Sequence, residues 1–309
     1  MVRPRTALIA RREALGFSQE SFAEKLGAHS GTVGRWERGE SDPQPWRRRR
    51  IADALGISLD ELDDMISHLD EQPPQVAVVE LTVLGCEPRF PRPGHPCSGY
   101  LLQAGADVVW VDAGAGTFVE LQRRVDLADL SIVWISSLRP DYWSDLVVAW
   151  NAYANDDSLP RLRVVGPPGW GERLDGAVGR QGAAAEVFDV HELSDGLEAV
   201  AGGIRLRAYA AHNSSPRYAL RAEVAGKVVV YSLASGPYGT LADLANGTTL
   251  LAVEVEENCS LEDVAAVAAS GGRVLVTYPG GVDKVVRHRL RQQLGPDVEI
   301  ARPGLTLRL

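Results

Sequence analysis

Arg35 is the side chain whose chemistry is easiest to place. A guanidinium can make two parallel hydrogen bonds to one guanine edge in the DNA major groove. Arg35 stands inside SQESFAEKLGAHSGTVGRWERG, residues 18–39, a stretch able to deliver it there. Ser18 is an N-cap candidate, and Gln19, Glu20 and Ser21 suit a polar first turn. Phe22, Ala23 and Leu26 share one face at helical spacing, and Gly27 ends that helix where a positive φ is needed. Ser30 opens a second short helix, with Val33 and Trp36 pointing inward and Thr32, Gly34 and Arg35 outward. Two short helices joined by a tight glycine turn make a bihelical unit suited to a DNA groove.

The set Gln19, Ala23, Gly27, Val33, Trp36, Glu37 and Gly39, in register, resembles the lambda-Cro-like (XRE) helix-turn-helix regulators over about residues 5–66. The resemblance implies a first helix near 5–15 and later helices near 45–54 and 58–66. It places Ser30, Gly31, Thr32, Gly34 and Arg35 at base edges. Gln19, Arg38 and Arg47, with Arg11, Arg12 and Lys25, fall nearer the phosphates. The implied partner is double-stranded DNA, read by a homodimer, since one such unit reads few base pairs.

Charge agrees locally. Residues 1–50 carry eleven Lys/Arg against six acids, residues 51–74 carry seven acids and no base, and the whole chain has a net charge of −9. Such a chain cannot coat nucleic acid indiscriminately; its basic face is confined to one end. The Arg47–Arg50 run is either a solvated helix start or a phosphate clamp, since consecutive helical residues share a face only in part.

The 309 residues are enough for two cores, with 45% hydrophobic and 24% charged residues, a globular balance. No apolar run is long enough to span a membrane. The first residues enter an amphipathic helix without a signal-peptide core, which predicts a bacterial cytoplasmic protein, at the nucleoid when bound to DNA. Cys86, Cys97 and Cys259 are widely spaced and fit a reducing compartment. Pro73 and Pro74 mark an extended linker. The expected units are residues 1–67, a linker at 68–77, and a second domain at 78–309.

Beyond the linker, apolar β-branched runs fall near 77–84, 98–104, 107–112, 131–136, 161–166, 204–210, 217–224, 227–232, 249–255, 273–277 and 305–309. Helical patterns at 116–125, 143–155, 240–246, 260–270 and 282–293 lie between them. Continuous apolar strands mixed with hairpins and amphipathic helices predict helix-covered mixed sheets. The expected fold class is an all-α helix-turn-helix domain followed by a layered α/β sandwich with mixed sheets, which the family resemblance of this second domain makes an αββα sandwich.

VELTVLGCEPRFPRPGHPCSGYLLQAGADVVWVDAGAG, ADLSIVWISSLRPDYWSDL and HNSSPRYALRAEVAGKVVVYSLASG resemble metallo-β-lactamase-fold hydrolases of the ribonuclease Z and cyclic-nucleotide phosphodiesterase branch. That family holds two metal ions with an H-x-H-x-D-H segment and later His, Asp and His ligands. Here Ser137, Arg139 and Tyr142 stand at the three first-segment histidine positions. Ala234 stands at the bridging Asp and Tyr278 at the final His; only Asp141 and His212 match. A catalytic zinc needs about three protein ligands and an open position, and a guanidinium at Arg139 repels a cation. His68, His95, His191 and His288 are scattered. The expectation is no metal, no cofactor, no catalytic residues and a chain that is not an enzyme.

Three roles then compete for the large domain. It dimerises the regulator and senses an anionic small-molecule effector near Arg139, Asp141, His212, Arg217 and Arg221. It is a purely structural scaffold. Or it is a metal-independent or residual hydrolase working through Asp141, His212 and Ser137 or Tyr142, although no G-x-S-x-G elbow is present. Arg139 either offers its charge to a phosphate or carboxylate or pairs with Asp141 and seals the cavity. Trp134, Trp143 and Trp150 belong either to a dimer contact or to the core.

Overall fold

The computed structural model describes residues 5–66, 78–211, 216–233, 244, 247–255, 272–277, 288, 291–292, 294–295 and 298–309. The expected helices at 240–246, 260–270 and 282–293, the linker, His68, His212, Ala234, Cys259 and Tyr278 lie wholly or mostly outside these residues.

Five helices make the first unit: α1 (Thr6–Ala14), α2 (Gln19–Leu26), α3 (Ser30–Arg38), α4 (Pro45–Leu55) and α5 (Leu59–Ile66). Ser18 caps α2 in a reciprocal box: its hydroxyl accepts from Ser21 N at 3.0 Å, and Ser18 N donates to Ser21 Oγ at 2.9 Å. Gly27 closes α2 at φ 63°, a left-handed conformation that a side chain would strain. Ser30 opens α3 as expected, and His29 caps it, its Nδ1 accepting from Gly31 N at 3.2 Å. Leu8, Phe22, Val33, Trp36, Ile51, Leu55 and Leu62 close the small core.

A charged network lies within this core. The Arg12 guanidinium donates to Glu37 at 2.5 Å, both side chains almost fully buried, and Gln19 Nε2 donates to Glu37 at 2.6 Å. Arg5 donates to the carbonyls of Ile66, Trp36 and Ser41 and pairs with Asp42. Gln19, expected near phosphate, is thus turned toward Glu37.

The large unit opens with the antiparallel strands β1 (Val79–Gly85), β2 (Gly99–Ala104) and β3 (Asp107–Val111), then α6 (Thr117–Gln122), a 3-10 turn at Leu127–Asp129 and β4 (Ile132–Trp134). Helices α7 (Pro140–Trp143) and α8 (Asp145–Ala154), strand β5 (Leu162–Gly166), helices α9 (Trp170–Val178) and α10 (Ala183–Val187), and strand β6 (Phe188–Glu192) follow. The second half contains β7 (Glu198–Ala201), β8 (Ile204–Ala210), β9 (Tyr218–Val224), β10 (Lys227–Leu233), β11 (Leu250–Glu254), β12 (Arg273–Thr277), β13 (Glu299–Ile300) and β14 (Thr306–Arg308).

Among the described residues two seven-stranded sheets result, ordered β14-β1-β2-β3-β4-β5-β6 and β13-β12-β11-β10-β9-β8-β7. In each, antiparallel strands give way to parallel ones, at β3–β4 and β10–β11. Alternation decides which face goes inside. On β8, Ile204, Leu206 and Ala208 are buried while Arg205 and Arg207 are exposed. Ile132 and Trp134 face the space between the sheets, whereas Val133 packs under the outer helices with Trp110, Phe118 and Leu146. Trp134 and Trp143 are buried in the core, and the half-buried Trp150 packs against it, donating to Ala183 O at 2.7 Å. The sequence missed β6, β7, β13, α9 and α10.

Replacing Glu37 with Ala strands the Arg12 charge inside the small core. Breaking a buried pair in this way costs about 3–5 kcal/mol. Urea unfolding followed by hydrogen exchange at residues 6–66 is expected to show that loss, with strands β1–β3 unaffected.

Candidate functional site

The polar residues of the large unit gather where strand ends of both sheets meet. Asp112 follows β3 at φ 58°, fully buried. Its Oδ1 accepts from Ser136 N at 2.7 Å and from Ser136 Oγ at 2.8 Å, and its Oδ2 accepts from Tyr231 OH at 2.8 Å. Tyr231 also contacts Ser98 Oγ at 3.2 Å, and its ring lies 5.0 Å from that of Tyr100. Burial raises the Asp112 carboxyl to about 7, although Ser136 and Tyr231 favour its anion.

Beside this cluster, Arg139 grips Asp141 with two bonds, Nε to Oδ1 at 3.2 Å and Nη2 to Oδ2 at 2.7 Å. Asp141 Oδ2 also accepts from Arg89 N at 3.2 Å. The guanidinium lies 5.3 Å from the centre of the Tyr142 ring. Tyr142 OH donates to Glu254 at 2.5 Å, and its pKa is driven well above the usual value by burial and by Glu254, so the phenol stays neutral. Burial works against the Arg139 charge, but Tyr142, Asp141 and Glu254 outweigh it. Gly114 lets these segments close: a Cβ there would fall 2.2 Å from Asp141 O and 2.6 Å from Ser98 O.

Of the expected pocket residues, Arg139 and Asp141 come together. Arg217 enters through a bridge with Ser137 that joins the two sheets. Arg221 does not: on β9, Leu220 and Ala222 face the inter-sheet core, while Arg221 points outward, donating to Glu223 and to Leu244 O. His212 lies outside the described residues. Asp112, Tyr231 and Glu254 were not foreseen; the signal for the two acids is an acid closing an apolar run, VVWVD and LLAVE, whereas Tyr231 reads as core.

The expected DNA-contact residues are also distributed unevenly. Ser30 is half-buried, Gly31 is exposed, and Arg38 is exposed but held by Glu40 through bonds of 2.8 and 3.0 Å. Thr32, Gly34 and Arg47 are buried, and Arg35 is half-buried with Nη1 donating to Arg124 O at 3.2 Å. Arg47 pairs with Asp126 at 3.0 Å and Asp129 at 3.5 Å, whereas Arg48 turns to Asp63 and Arg49 and Arg50 are exposed. Burial pushes the Asp129 carboxyl up to about 6 despite Arg47 and Arg35.

A family model described as helix-turn-helix matches residues 8–62. The N-terminal unit is a helix-turn-helix domain of XRE type. The larger unit resembles ribonuclease Z proteins: 29% identity over 197 residues with that of Mycobacterium marinum, covering 56% of this chain and 69% of the relative. The Mycolicibacterium paratuberculosis ribonuclease Z is 27% identical over 236 residues, covering 63% and 83%. Among solved structures, the metallo-β-lactamase fold protein YhfI from Bacillus subtilis superposes with a TM-score of 0.62 at 20% identity, covering 74% of this chain and 99% of that one. Human tRNase Z, short form, gives 0.56 at 16%, covering 74% and 98%. The large unit has the metallo-β-lactamase fold.

These relatives overturn the expectation that the chain is not an enzyme. Its curated relatives are named ribonuclease Z, and the similar folds include a tRNase Z and a diphosphatase, all pointing to an enzyme. The fold also implies a metal centre, and the described residues do not fit one. Asp141, the matched acidic ligand, is already held by a permanent cation, and Ser137 and Tyr142 offer no imidazole. No described element of the large unit, nor any other described helix, is long and apolar enough to cross a membrane.

Asp112 gives this fold a pH signature. Its folded pKa lies above the unfolded one, so the unfolded chain loses this proton first as pH rises. Its contribution to stability is full below about pH 4 and is lost as pH rises through about 7. Over that interval the loss amounts to about 2–4 kcal/mol. Chemical unfolding of wild type and Asp112→Asn at pH 4, 6 and 8 is expected to show a steeper loss of stability in wild type than in the variant, where Asp129 still titrates.

Proposed function

We propose that the chain is a sequence-specific DNA-binding transcription regulator that works as a homodimer, its large domain responding to an anionic small molecule beside Arg139. The observation that carries the reading is the intact helix pair, capped by Ser18, Gly27 and His29, matching the helix-turn-helix family. Dimerisation supplies two reading helices for two half-sites, the usual route to a long operator. Support for the effector comes from Arg139, whose side chain keeps 33% of its surface at the rim of the cluster. A guanidinium there favours a planar, charged oxygen group.

The test is binding to an operator and to base-substituted variants of it. Arg35→Ala is expected to lose about 1–3 kcal/mol of discrimination at particular base pairs. Arg38→Ala is expected to weaken every duplex alike and to lower the salt slope by about 1. If Arg35→Ala leaves the ranking of duplexes unchanged, Arg35 does not read bases.

A second reading is favoured by the ribonuclease Z relatives: the large domain hydrolyses phosphodiesters without a two-metal centre. Arg139 is then the charge that meets the phosphoryl group, with the neutral Tyr142 phenol beside it. Wild type is expected to cleave an activated phosphodiester in the presence of chelator, and Arg139→Ala to slow it by about 10²-fold. Activity abolished by chelator, or insensitive to Arg139→Ala, would refute this.

A further inference from the structure

The surface that reads DNA is not free. Segment 124–129, between α6 and β4, lies against it. Asp126 Oδ2 accepts from His29 N, at the start of α3, at 3.1 Å and pairs with Arg47 at 3.0 Å. Asp129 lies 3.5 Å from Arg47 Nε, and the carbonyl of Arg124 accepts from Arg35. Gln44, just ahead of α4, reaches Ala106 O in the β2–β3 turn at 3.5 Å. The Arg47 side chain is only 4% exposed, which leaves no path to a phosphate.

The chemistry of this contact is that of a DNA backbone. A helix N-terminus offers N–H groups and a partial positive charge to an anion, and arginines take the remaining oxygens. In the docked chain a carboxylate fills both roles. We propose that the large domain holds the reading helix in a DNA-incompetent state, with Asp126 and Asp129 occupying the phosphate contacts and segment 124–129 covering Arg35. Docking and DNA binding exclude one another.

The interface is also poised to open. Arg35 Nε and Arg47 Nη1 are buried there without hydrogen-bond acceptors. Desolvation lowers the Arg35 pKa and raises that of Asp129. Buried charges that are incompletely paired make a weak contact, and a run of phosphates supplies the missing acceptors. Any event that separates the two units, a ligand on the large domain included, therefore releases a reading surface that is already folded.

This inference rests on the DNA-binding reading, and the experiment separates the two. A labelled duplex is selected from a random-sequence pool with the full-length Asp126→Asn, Asp129→Asn double variant, whose side chains keep their size. Its affinity is then measured for wild type and variant. The variant is expected to bind about tenfold tighter. Independently of any variant, hydrogen exchange on wild type at saturating duplex is expected to show 124–129 losing protection while 30–38 stays protected. Equal affinities, or a segment 124–129 that stays protected in the bound state, overturn the autoinhibitory contact and leave DNA binding intact. A variant that melts like wild type yet selects no duplex overturns both.

Discussion

A single buried carboxylate ties the large domain together. Asp112 ends the third strand of one sheet, takes two bonds from Ser136 after the next strand, and takes a third from Tyr231 in the opposite sheet. Buried acids without partners are expensive, so these donors must be present wherever Asp112 is. The consequence is geometric. The positive φ at Asp112 turns the chain into Ala113 and Gly114, Gly114 admits the Asp141 carbonyl, and Thr117 then starts α6. One acid thus stands at the turn, beside the Arg139–Asp141 pair and at the head of the helix that leads to the helix-turn-helix unit.

The candidate site lies in a metallo-β-lactamase fold and holds a guanidinium. Arg139 neutralises Asp141 there, and Tyr142 ties off Glu254 from the other sheet. A metal is an exchangeable charge with open positions, whereas arginine is tethered, planar and always protonated. Among the described residues the site is held by hydrogen bonds and ion pairs. From it, α6 runs directly to segment 124–129, so packing changes at the cluster have a short covalent route to the helix-turn-helix unit.

Much of this was legible in the sequence, and the gaps have physical reasons. The small unit was readable because caps and periodicity are local: Ser18, Gly27 and Trp36 sit where their chemistry demands. The central strands were readable as apolar runs. Strands β6 and β7 were not, because edge positions such as Asp189, His191 and Glu198 are polar and reach solvent. Asp141 and Arg139 were found through the family pattern, but Asp112 and Glu254 look like strand-ending turn residues, and Tyr231 looks like core. The destination of Arg47 was out of reach. A basic run reads the same whether it meets phosphate or a carboxylate on another domain, and only folding brings Asp126 and Asp129 to it.

The order in which the strands pair has a consequence for synthesis. Strand β1 lies between β2, its neighbour in sequence, and β14, and Thr82 meets Thr306 across 224 residues. The sheet stays one strand short until that distant segment arrives, and such non-local pairing is slow. The helix-turn-helix unit needs only local contacts and is complete long before. At about 5–20 residues per second on the ribosome, the interval is tens of seconds. For that time each nascent chain carries a finished helix-turn-helix unit, while the segment that meets it at Asp126 and Asp129 belongs to an unfinished sheet.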